Sequence, residues 1–385
     1  MKEWTTYHLE DICKEILSGG DAAKYDCVKA KSNTYKYPVF ANAIDEDGLY
    51  GYCNDYVVNV PSVTIAARGA GTGYVAYRDT PYTPIVRLIS LIPKENVNPL
   101  FLYYRLKIAN LRGDGSAIPQ LTVPMVKKLK VTLPDYETQN TIANILRSLD
   151  VKIQLNKQIN DNLEQQAQAL YKSWFVDFEP FKDGEFIESE LGKIPEGWQC
   201  IPFSMFVTES KAKTGKIGIK EYSVTNNGIF PRDAKYNKSL SQSSTKNKLI
   251  QYGDLVFGMS RDILNWGVMQ EEQGGVSSAY TVYNINSGIV NSTYLELFIK
   301  SRIHLFSDLI RPAAREGQGI DKSVLQTKVL LYPPQKVLDT FWPLYNSVTN
   351  QIQTTTSEIN RLGDIRDTLL PKLMSGEIKI NEIDC

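Results

Sequence analysis

The sequence predicts an α+β protein with two mixed α/β domains, a long antiparallel two-helix coiled coil that separates them, and an internal two-fold pseudo-repeat. Three observations predict this fold: the length of the chain, a repeated apolar pattern, and a long stretch without proline or glycine. At 385 residues the chain exceeds what one hydrophobic core usually organises. An internal repeat indicates that one architectural unit occurs more than once in the chain.

Mostly apolar positions alternate at spacings of four and three residues in two segments, which are offset by 199 residues, from Ile142 to Phe341. The first segment contains Ile142, Leu146, Leu149, Ile153, Asn156, Asn160, Leu163, Ala167, Leu170 and Trp174. The second segment contains Phe341, Tyr345, Val348, Ile352, Thr355, Ile359, Leu362, Arg366, Leu369 and Leu373. Such spacing is typical of the seam of a coiled coil, so one architectural unit occurs twice.

The elements follow in the order domain, helix, linker, domain, helix. Residues 1–136 predict a first mixed domain, because short β-rich runs between Gly and Pro turns precede a helix. Residues 137–178 lack Pro and Gly and predict one helix of roughly 60 Å. Residues 179–197 predict an irregular acidic linker, and residues 198–334 repeat the plan of the first domain.

Residues 335–378 predict the second long helix, which ends either before Pro371 or near Gly376, and residues 379–385 form a tail. Neither helix can bury its seam alone, so the two helices pair within the chain or the chain dimerises. The intervening domain lets the chain return, which favours an intramolecular antiparallel pair. Full overlap places Asn160 opposite Thr355, and we expect Asn156, Asn160 and Thr355 to fix the register.

Composition limits the class of protein. Lys plus Arg and Asp plus Glu are both 43, so the net charge neither indicates nor excludes a polyanionic ligand. Residues 105–130 carry six basic residues against one acidic residue, and residues 177–196 carry seven acidic residues against two basic ones. The start lacks the features of a secretory signal, no apolar run approaches a membrane helix, and the five cysteines are scattered, so we expect a cytoplasmic protein with reduced thiols.

The sequence contains no convincing catalytic site. The two histidines, His8 and His304, lack metal-ligand spacing. Residues 332–335 resemble the Asn-Pro-Pro-Tyr motif of amino-methyltransferases but lack its Asn and its final aromatic residue. The glycines of residues 69–73 are followed by no helical pattern, and Thr214-Gly215-Lys216 lacks the upstream Gly of a phosphate loop. The sequence therefore predicts a chain without catalysis, metal or cofactor.

Three motifs resemble the specificity subunit of type I restriction–modification systems. Residues 170–178 (LYKSWFVDF) are similar to its central segment, residues 194–198 (IPEGW) to the start of its second recognition domain, and residues 370–378 (LPKLMSGEI) to its C-terminal signature. The resemblance implies two target-recognition domains, each reading one half of a bipartite DNA site, and a helical spacer that sets the gap. It also implies two modification subunits docked on the helices, with restriction subunits in the larger assembly.

The same resemblance implies that S-adenosylmethionine, ATP and magnesium belong to the partner subunits. The alternative of a different class is a structural adaptor that holds two domains at a fixed separation without binding DNA. A self-sufficient methyltransferase or nuclease is a third alternative, which the absent motifs disfavour.

Candidate DNA contacts are Lys and Arg for phosphates and a few polar or aromatic residues for base edges. Arg68 and Arg261 are the strongest, because each follows a predicted strand at an equivalent point of its domain. The acidic residues 45–47 should face away from DNA. The complete set is Lys31, Lys36, Arg68, Arg78, Tyr82, Lys246, Ser260, Arg261, Arg311, Arg315 and Gln318.

Large apolar residues crowd the ends of both long helices. These are Tyr171, Trp174, Phe175, Phe178, Leu370, Leu373 and Met374. Two interpretations stay open: they cap the hydrophobic cores, which is slightly favoured, or they form an exposed patch on which a partner docks.

Overall fold

The protein is described by a computed structural model, which covers residues 4–109, 111, 120–215, 218–232, 244–260, 263–310 and 320–378. Its α-helices are Leu9–Ile12, Pro99–Lys107, Val123–Lys127, Tyr136–Phe175, Ser292–Ser301, Lys322–Thr327 and Gln335–Ser375. Its short 3₁₀ helices are Ala22–Lys24, Asp45–Gly48, Glu179–Phe181, Phe203–Met205, Ser244–Lys246 and Ile303–Leu309. Tertiary contacts divide the chain into two compact units: Met1–Asp161 with Gln353–Cys385, and Asn162–Ile352.

The first unit is built around a four-stranded antiparallel sheet. Its strands, in spatial order, are Cys13–Ser18, Ile89–Pro93, Ser62–Ile65 and Val75–Arg78. The strand Ser62–Ile65 is buried along its whole length, and the helix Pro99–Lys107 packs against the sheet with Phe101 and Tyr104 fully buried. The side chain of Asn98 caps this helix by accepting from the amides of Leu100 and Phe101.

Two further sheets occur among the described residues of the first unit. One has the order Cys27–Val28, Leu49–Cys53, Tyr37–Phe40 and Thr83–Pro84, with the last pair parallel. The other pairs Thr5–His8 with Lys130–Leu133 in an antiparallel ladder. This second ladder brings the start of the domain to the segment that leads into the first long helix.

The second unit repeats the four-stranded sheet. Its strands, in spatial order, are Val207–Ser210, Thr281–Ile285, Leu255–Ser260 and Ile263–Val268. Both sheets therefore place the earliest strand at one edge, the latest strand beside it, and a hairpin at the other edge. The part of this unit that the structure describes also has four two-stranded ladders: Phe186–Ser189 with Gly192–Pro195, Gln199–Pro202 with Val329–Tyr332, Tyr222–Thr225 with Gly228–Pro231, and Lys248–Gln251 with Gln273–Val276.

The long helices span 40 and 41 residues, Tyr136–Phe175 and Gln335–Ser375. The first ends three residues before the predicted Phe178, which adopts a left-handed φ of +54°. Arg302 fixes this end, because its Nη2 donates to the carbonyl of Phe175 at 2.9 Å. The second helix runs through Pro371 and ends before Gly376, whose φ of +75° suits a glycine after the last turn.

The long helices pair antiparallel, as contacts in each unit show. In the first unit Asn156 Nδ2 donates to Glu358 Oε2 and Asn160 Nδ2 donates to Thr356 Oγ1, both at 2.9 Å. The partner of Asn160 is thus one residue beyond the predicted Thr355. In the second unit the ring of Phe341 lies 5.7 Å from Trp174 and 4.6 Å from Phe175, between ring centroids.

The α+β class, the two sheet-containing domains with their pseudo-repeat, and the antiparallel helix pair are confirmed. One element of the prediction is wrong: the linker of residues 179–197 is not irregular. It contains the hairpin Phe186–Ser189 and Gly192–Pro195, which Ser189 closes by donating from Oγ to the carbonyl of Gly192 at 2.6 Å. In the described part of the chain no helix is long and apolar enough to cross a membrane.

Candidate nucleic-acid interface

The hairpin tip of the first four-stranded sheet holds Arg68, a leading candidate from the sequence. The amide of Gly73 donates to the carbonyl of Ala66 at 2.8 Å, which closes the tip. Gly69 and Gly73 have φ of +76° and +83°, so this turn needs residues without a Cβ. Arg68 is half-buried, and its buried Nε has no hydrogen-bond partner among the described residues. An arginine with a donor left unsatisfied is suited to an incoming acceptor such as a phosphate.

The segment after residue 119 also reaches this hairpin. Leu121 donates its amide to the carbonyl of Ala67 at 2.9 Å. The basic region of residues 105–130, of which 110 and 112–119 lie outside the described residues, therefore returns to the sheet beside Arg68. The structure brings together two parts of the chain that the sequence presents as separate.

Two predicted DNA contacts are wrong, because the structure buries them. Tyr82 has no exposed surface, and its hydroxyl shares a 2.9 Å hydrogen bond with Ser62 Oγ. Arg78 is only 6% exposed. Its Nε donates to Thr64 Oγ1 at 3.1 Å, its Nη2 donates to the carbonyl of Asp47 at 2.6 Å, and its guanidinium carbon lies 3.5 Å from the ring centroid of Phe40. Burial lowers the pKa of this guanidinium. Its contacts with Thr64, Asp47 and Phe40 give Arg78 a structural role.

Lys31 and Lys36 are exposed, and both line an open cavity of about 560 Å³. Tyr37 and Tyr52 contribute aromatic surface to this cavity. Glu46 and Asp47 lie in the same wall, although the sequence-based expectation placed residues 45–47 away from DNA. The carboxylates reduce the positive potential there, so this cavity is a weaker DNA surface than the Arg68 hairpin.

In the second unit the structure describes part of the predicted set. Lys246 is exposed and ends the 3₁₀ helix Ser244–Lys246. Ser260 ends the strand Leu255–Ser260, which pairs with Ile263–Val268. Arg261, Arg311, Arg315 and Gln318 lie outside the described residues.

Sequence reasoning missed a groove in the first unit that combines tyrosines with basic side chains. The rings of Tyr77 and Tyr103 are tilted at 46° to each other with centroids 6.3 Å apart. Lys107 Nζ lies 5.2 Å from the ring centroid of Tyr103, and the guanidinium carbon of Arg147 lies 5.7 Å from that of Tyr77. These residues line a groove of about 600 Å³. The signal was the Tyr103–Lys107 spacing of four residues on a helix, and Tyr77 enters only through the fold.

The predicted seam positions of the long helices are all buried or half-buried. The buried ones are Ile153, Asn156, Leu163 and Leu362, and the half-buried ones are Leu149, Asn160, Leu170, Val348, Ile352, Thr355, Ile359 and Leu369. Asp150 adds an ionic contact to this seam: its Oδ1 lies 2.9 Å from Arg366 Nη1, and its Oδ2 accepts from the Tyr104 hydroxyl at 2.7 Å. Asp150 thus links both long helices to the helix Pro99–Lys107 of the first unit.

The helix-end residues belong mostly to the hydrophobic cores, which contradicts their use as a docking patch. Tyr171, Phe175, Leu370, Leu373 and Met374 are at most 6% exposed. Trp174 and Phe178 are half-buried and pack on the core of the second unit. Core capping, the favoured interpretation, accounts for the positions of all seven.

An exposed apolar stripe lies elsewhere on the first long helix. Val151, Leu155 and Ile159 are spaced four residues apart, which places them on one helix face. Their exposed fractions are 43%, 50% and 46%. No group of three or more residues able to hold a metal ion occurs within the described ranges.

The described residues contain the same four-stranded sheet twice, with an arginine-bearing hairpin in the first copy, and two long helices that pair antiparallel, a combination that suits a two-domain DNA-recognition protein. Residues 1–165 match the family described as the type I restriction modification DNA specificity domain. The chain is 28% identical over 336 residues to the type I restriction enzyme MjaIX specificity subunit of Methanocaldococcus jannaschii, covering 82% of this chain and 77% of that one. It is also 39% identical over 98 residues to the C-terminal part of a putative type I specificity subunit of Mycoplasma pneumoniae, covering 26% of this chain and 67% of the relative.

A crystal structure of the type I restriction–modification S subunit from M. genitalium has the same fold. Its TM-score is 0.57 at 13% identity, over 96% of each chain. This chain belongs to the family of type I specificity subunits.

Proposed function

We propose that this chain recognises DNA sequence for a type I restriction–modification complex, and that each sheet-containing domain reads one half of a bipartite site. One observation carries the proposal: the same sheet topology occurs twice, and in each copy an arginine follows the first strand of the edge hairpin. In the first copy this is Arg68, after the strand Ser62–Ile65. In the second, Arg261 follows the strand Leu255–Ser260 in the sequence.

The chain itself is a non-catalytic specificity subunit, in keeping with its relatives. Methyl transfer and cleavage then belong to modification and restriction subunits, which we propose to use S-adenosylmethionine, ATP and magnesium. We further propose two modification subunits in each complex, and the cytoplasm as the compartment, because genomic DNA is there. Purified chain should show no methyl transfer by itself.

We propose that the helix pair sets the distance between the two half-sites. Hydrogen bonds from two seam asparagines, Asn156 and Asn160, support this role, because polar groups in a seam penalise every shifted register. An ion pair between Asp150 and Arg366 adds to the same register. A fixed register gives a fixed length, and a fixed length suits half-sites at one separation.

The docking surface for a modification subunit is proposed at the apolar stripe of Val151, Leu155 and Ile159. Exposed leucine and isoleucine on one helix face cost solvation energy unless a partner covers them. The buried helix ends are unsuited to this role, because a partner would have to displace their core contacts.

The experiment that tests the proposed function maps methylated bases in the source genome with and without this gene. A two-part motif with one fixed gap is expected, because two separate domains read it. A continuous short motif would count against the proposal. If the purified complex shows no salt-dependent binding to duplex DNA, the alternative of a non-DNA adaptor is favoured.

A further inference from the structure

The turn that precedes the strand Ile89–Pro93 has a strained backbone at two non-glycine residues. Val86 and Arg87 have φ of +53° and +63°, in the left-handed region. A β-branched residue rarely adopts this region, and such a conformation costs on the order of 1–3 kcal/mol. Strain of this kind persists only where the surrounding structure imposes it.

The surroundings of the turn do impose it. The amide of Val86 donates to the carbonyl of Gly20 at 2.7 Å, and the amide of Arg87 donates to the carbonyl of Gly19 at 3.1 Å. A Cβ at Gly19 would lie 2.7 Å from the backbone nitrogen of Ile85, so only glycine permits this close approach. The chain therefore holds Arg87 in one backbone position.

Asn42 connects this turn to the Arg68 hairpin. Its Oδ1 accepts from the amide of Ala67 at 2.7 Å, and its Nδ2 donates to the carbonyl of Val86. Because one partner is a donor and the other an acceptor, only one orientation of the carboxamide satisfies both. Asn42 thus bonds the backbone of Ala67, which precedes Arg68, and the backbone of Val86, which precedes Arg87. One side chain thus fixes the spacing of two arginine-bearing segments.

The side chain of Arg87 is exposed and borders a surface depression with Ser18, Gln120 and Thr122. Within the described residues its guanidinium has no hydrogen-bond or ion-pair partner. A guanidinium that pairs with none of the described residues, on a rigid and strained backbone, is suited to bind an anion or a guanine edge without further ordering.

We propose that Arg87 is a second DNA-contacting arginine of the first domain, and that Asn42 is a positioning residue that holds it beside the Arg68 hairpin. The inference rests on the proposed function and names the residues that carry it in one domain. The equivalent turn of the second domain, before the strand Thr281–Ile285, has Ser278 and Ala279 and no arginine. The contribution of Arg87 is therefore confined to one half-site.

The test uses the full chain in complex with its modification subunits and three duplexes. One duplex carries the motif found by methylation mapping, and the other two carry it with one or the other half scrambled. Arg87→Ala should weaken binding to the intact duplex by at least about fivefold. The loss should vanish on one, and only one, of the scrambled duplexes. Arg87→Lys separates the two contact types, because it keeps a phosphate contact and loses a bidentate guanine contact.

The matched control is Lys14→Ala. Lys14 is exposed at the start of the strand Cys13–Ser18, where Cys13 pairs with Pro93. Arg87 lies near the opposite end of this strand, where Ser18 pairs with Ile89. Lys14→Ala removes one positive charge, as Arg87→Ala does. The complex with Lys14→Ala should bind the intact duplex within about twofold of the unmutated complex. An equal loss of affinity for Lys14→Ala and Arg87→Ala would show that Arg87 contributes only its net charge, and it would overturn the inference.

Asn42 is tested by its coupling to Arg87. Asn42→Ala should weaken binding to the same half-site. The loss that Asn42→Ala causes should be smaller in the Arg87→Ala background, because part of the effect of Asn42 passes through Arg87. Full additivity would overturn the positioning role. If the unmutated complex does not distinguish intact from scrambled duplexes, the proposed function fails. If the unmutated complex distinguishes the duplexes and Arg87→Ala binds as the unmutated complex does, only this inference fails. Arg87→Ala removes no described backbone hydrogen bond, so misfolding is not expected to account for a loss of binding.

Discussion

Arg68 combines a glycine-rich turn, partial exposure and an unsatisfied Nε, and these properties suit a residue that gains its partner from DNA. We expect Arg68→Ala and Arg261→Ala each to weaken specific DNA binding by about 1–3 kcal/mol, the usual range for an arginine at a base edge. Titration of the complex with the mapped duplex measures this. Unchanged binding and modification in both variants would reject the assignment.

Glu296 should make the second unit sensitive to pH. It lies on the helix Ser292–Ser301 and accepts from Gln270 Nε2 at 2.6 Å. Burial raises the pKa of its carboxyl to about 7, above the ordinary value of 4.5. Between these values the folded protein holds a proton that the unfolded chain releases, so stability falls as pH rises from about 4.5 to about 7.

Glu296→Gln should remove this dependence and raise the melting temperature at pH 8, because the amide stays neutral and still accepts from Gln270. Thermal unfolding from pH 5 to pH 8 measures both effects. Glu188→Gln is the control, since Glu188 is exposed and should leave the pH profile unchanged. A parallel pH profile for Glu296→Gln and the unmutated chain would contradict the prediction.

The sequence indicates which residue types could contact DNA, but it does not show which of those residues are exposed. Arg78 and Tyr82 look like surface residues in a turn-rich segment, and only the fold reveals Thr64, the Asp47 carbonyl and Ser62 as their partners. Arg87 was missed for the converse reason. Its exposure and strain depend on Gly19, Gly20 and Asn42, which are distant in sequence.

At the level of elements, two glycines should respond oppositely to alanine. A Cβ at Gly258, in the strand Leu255–Ser260, would lie 1.8 Å from the Tyr280 ring, so Gly258→Ala should destabilise the second unit by about 1–3 kcal/mol through overpacking. Gly363 is helical with open space around it, so Gly363→Ala should stabilise by about 0.5–1 kcal/mol. Denaturant unfolding measures both, and a shift of the same sign in both variants would contradict this account.

The apolar stripe of the first long helix should mediate subunit docking. Leu155→Ser and Ile159→Ser remove exposed apolar surface without touching the seam, so they should weaken binding of the modification subunit by at least about tenfold when combined. Mass photometry or gel filtration of the mixed subunits measures this. Met205→Ser, at a residue 62% exposed in the second domain, is the control. Normal assembly of the double variant would move the docking surface elsewhere.

Long elements were predictable and their ends were not. Four-and-three periodicity over about 40 residues indicated both helices, because many seam positions agree. The end at Phe175 depends instead on Arg302, which binds its carbonyl and comes from a distant helix end. The sheet order was likewise beyond the sequence, since it follows from pairings such as Val63 with Leu91.

The two copies of the pseudo-repeat share the strand order of the four-stranded sheet but differ in the exposed residues of their long helices. Both units have the same order of strands in the four-stranded sheet, whereas the stripe positions Val151, Leu155 and Ile159 correspond in the second helix to Asn350, Thr354 and Glu358. Buried strands tolerate few changes, while exposed positions are free to diverge. Two domains that read different half-sites need this combination of a common frame and different loops.

The proposed role of the helix pair predicts how the recognised gap changes with helix length. Inserting seven residues after Lys157 and seven after Ser357, which are facing positions of the antiparallel seam, preserves the heptad pattern. Each helix lengthens by about 10 Å, equivalent to about three base pairs of DNA. Methylation mapping should then return the same two half-sites with a gap about three base pairs longer. Insertion of seven residues in one helix alone, the control, breaks the seam and should abolish modification, whereas an unchanged gap in the active double insertion would show that another part of the complex sets the spacing.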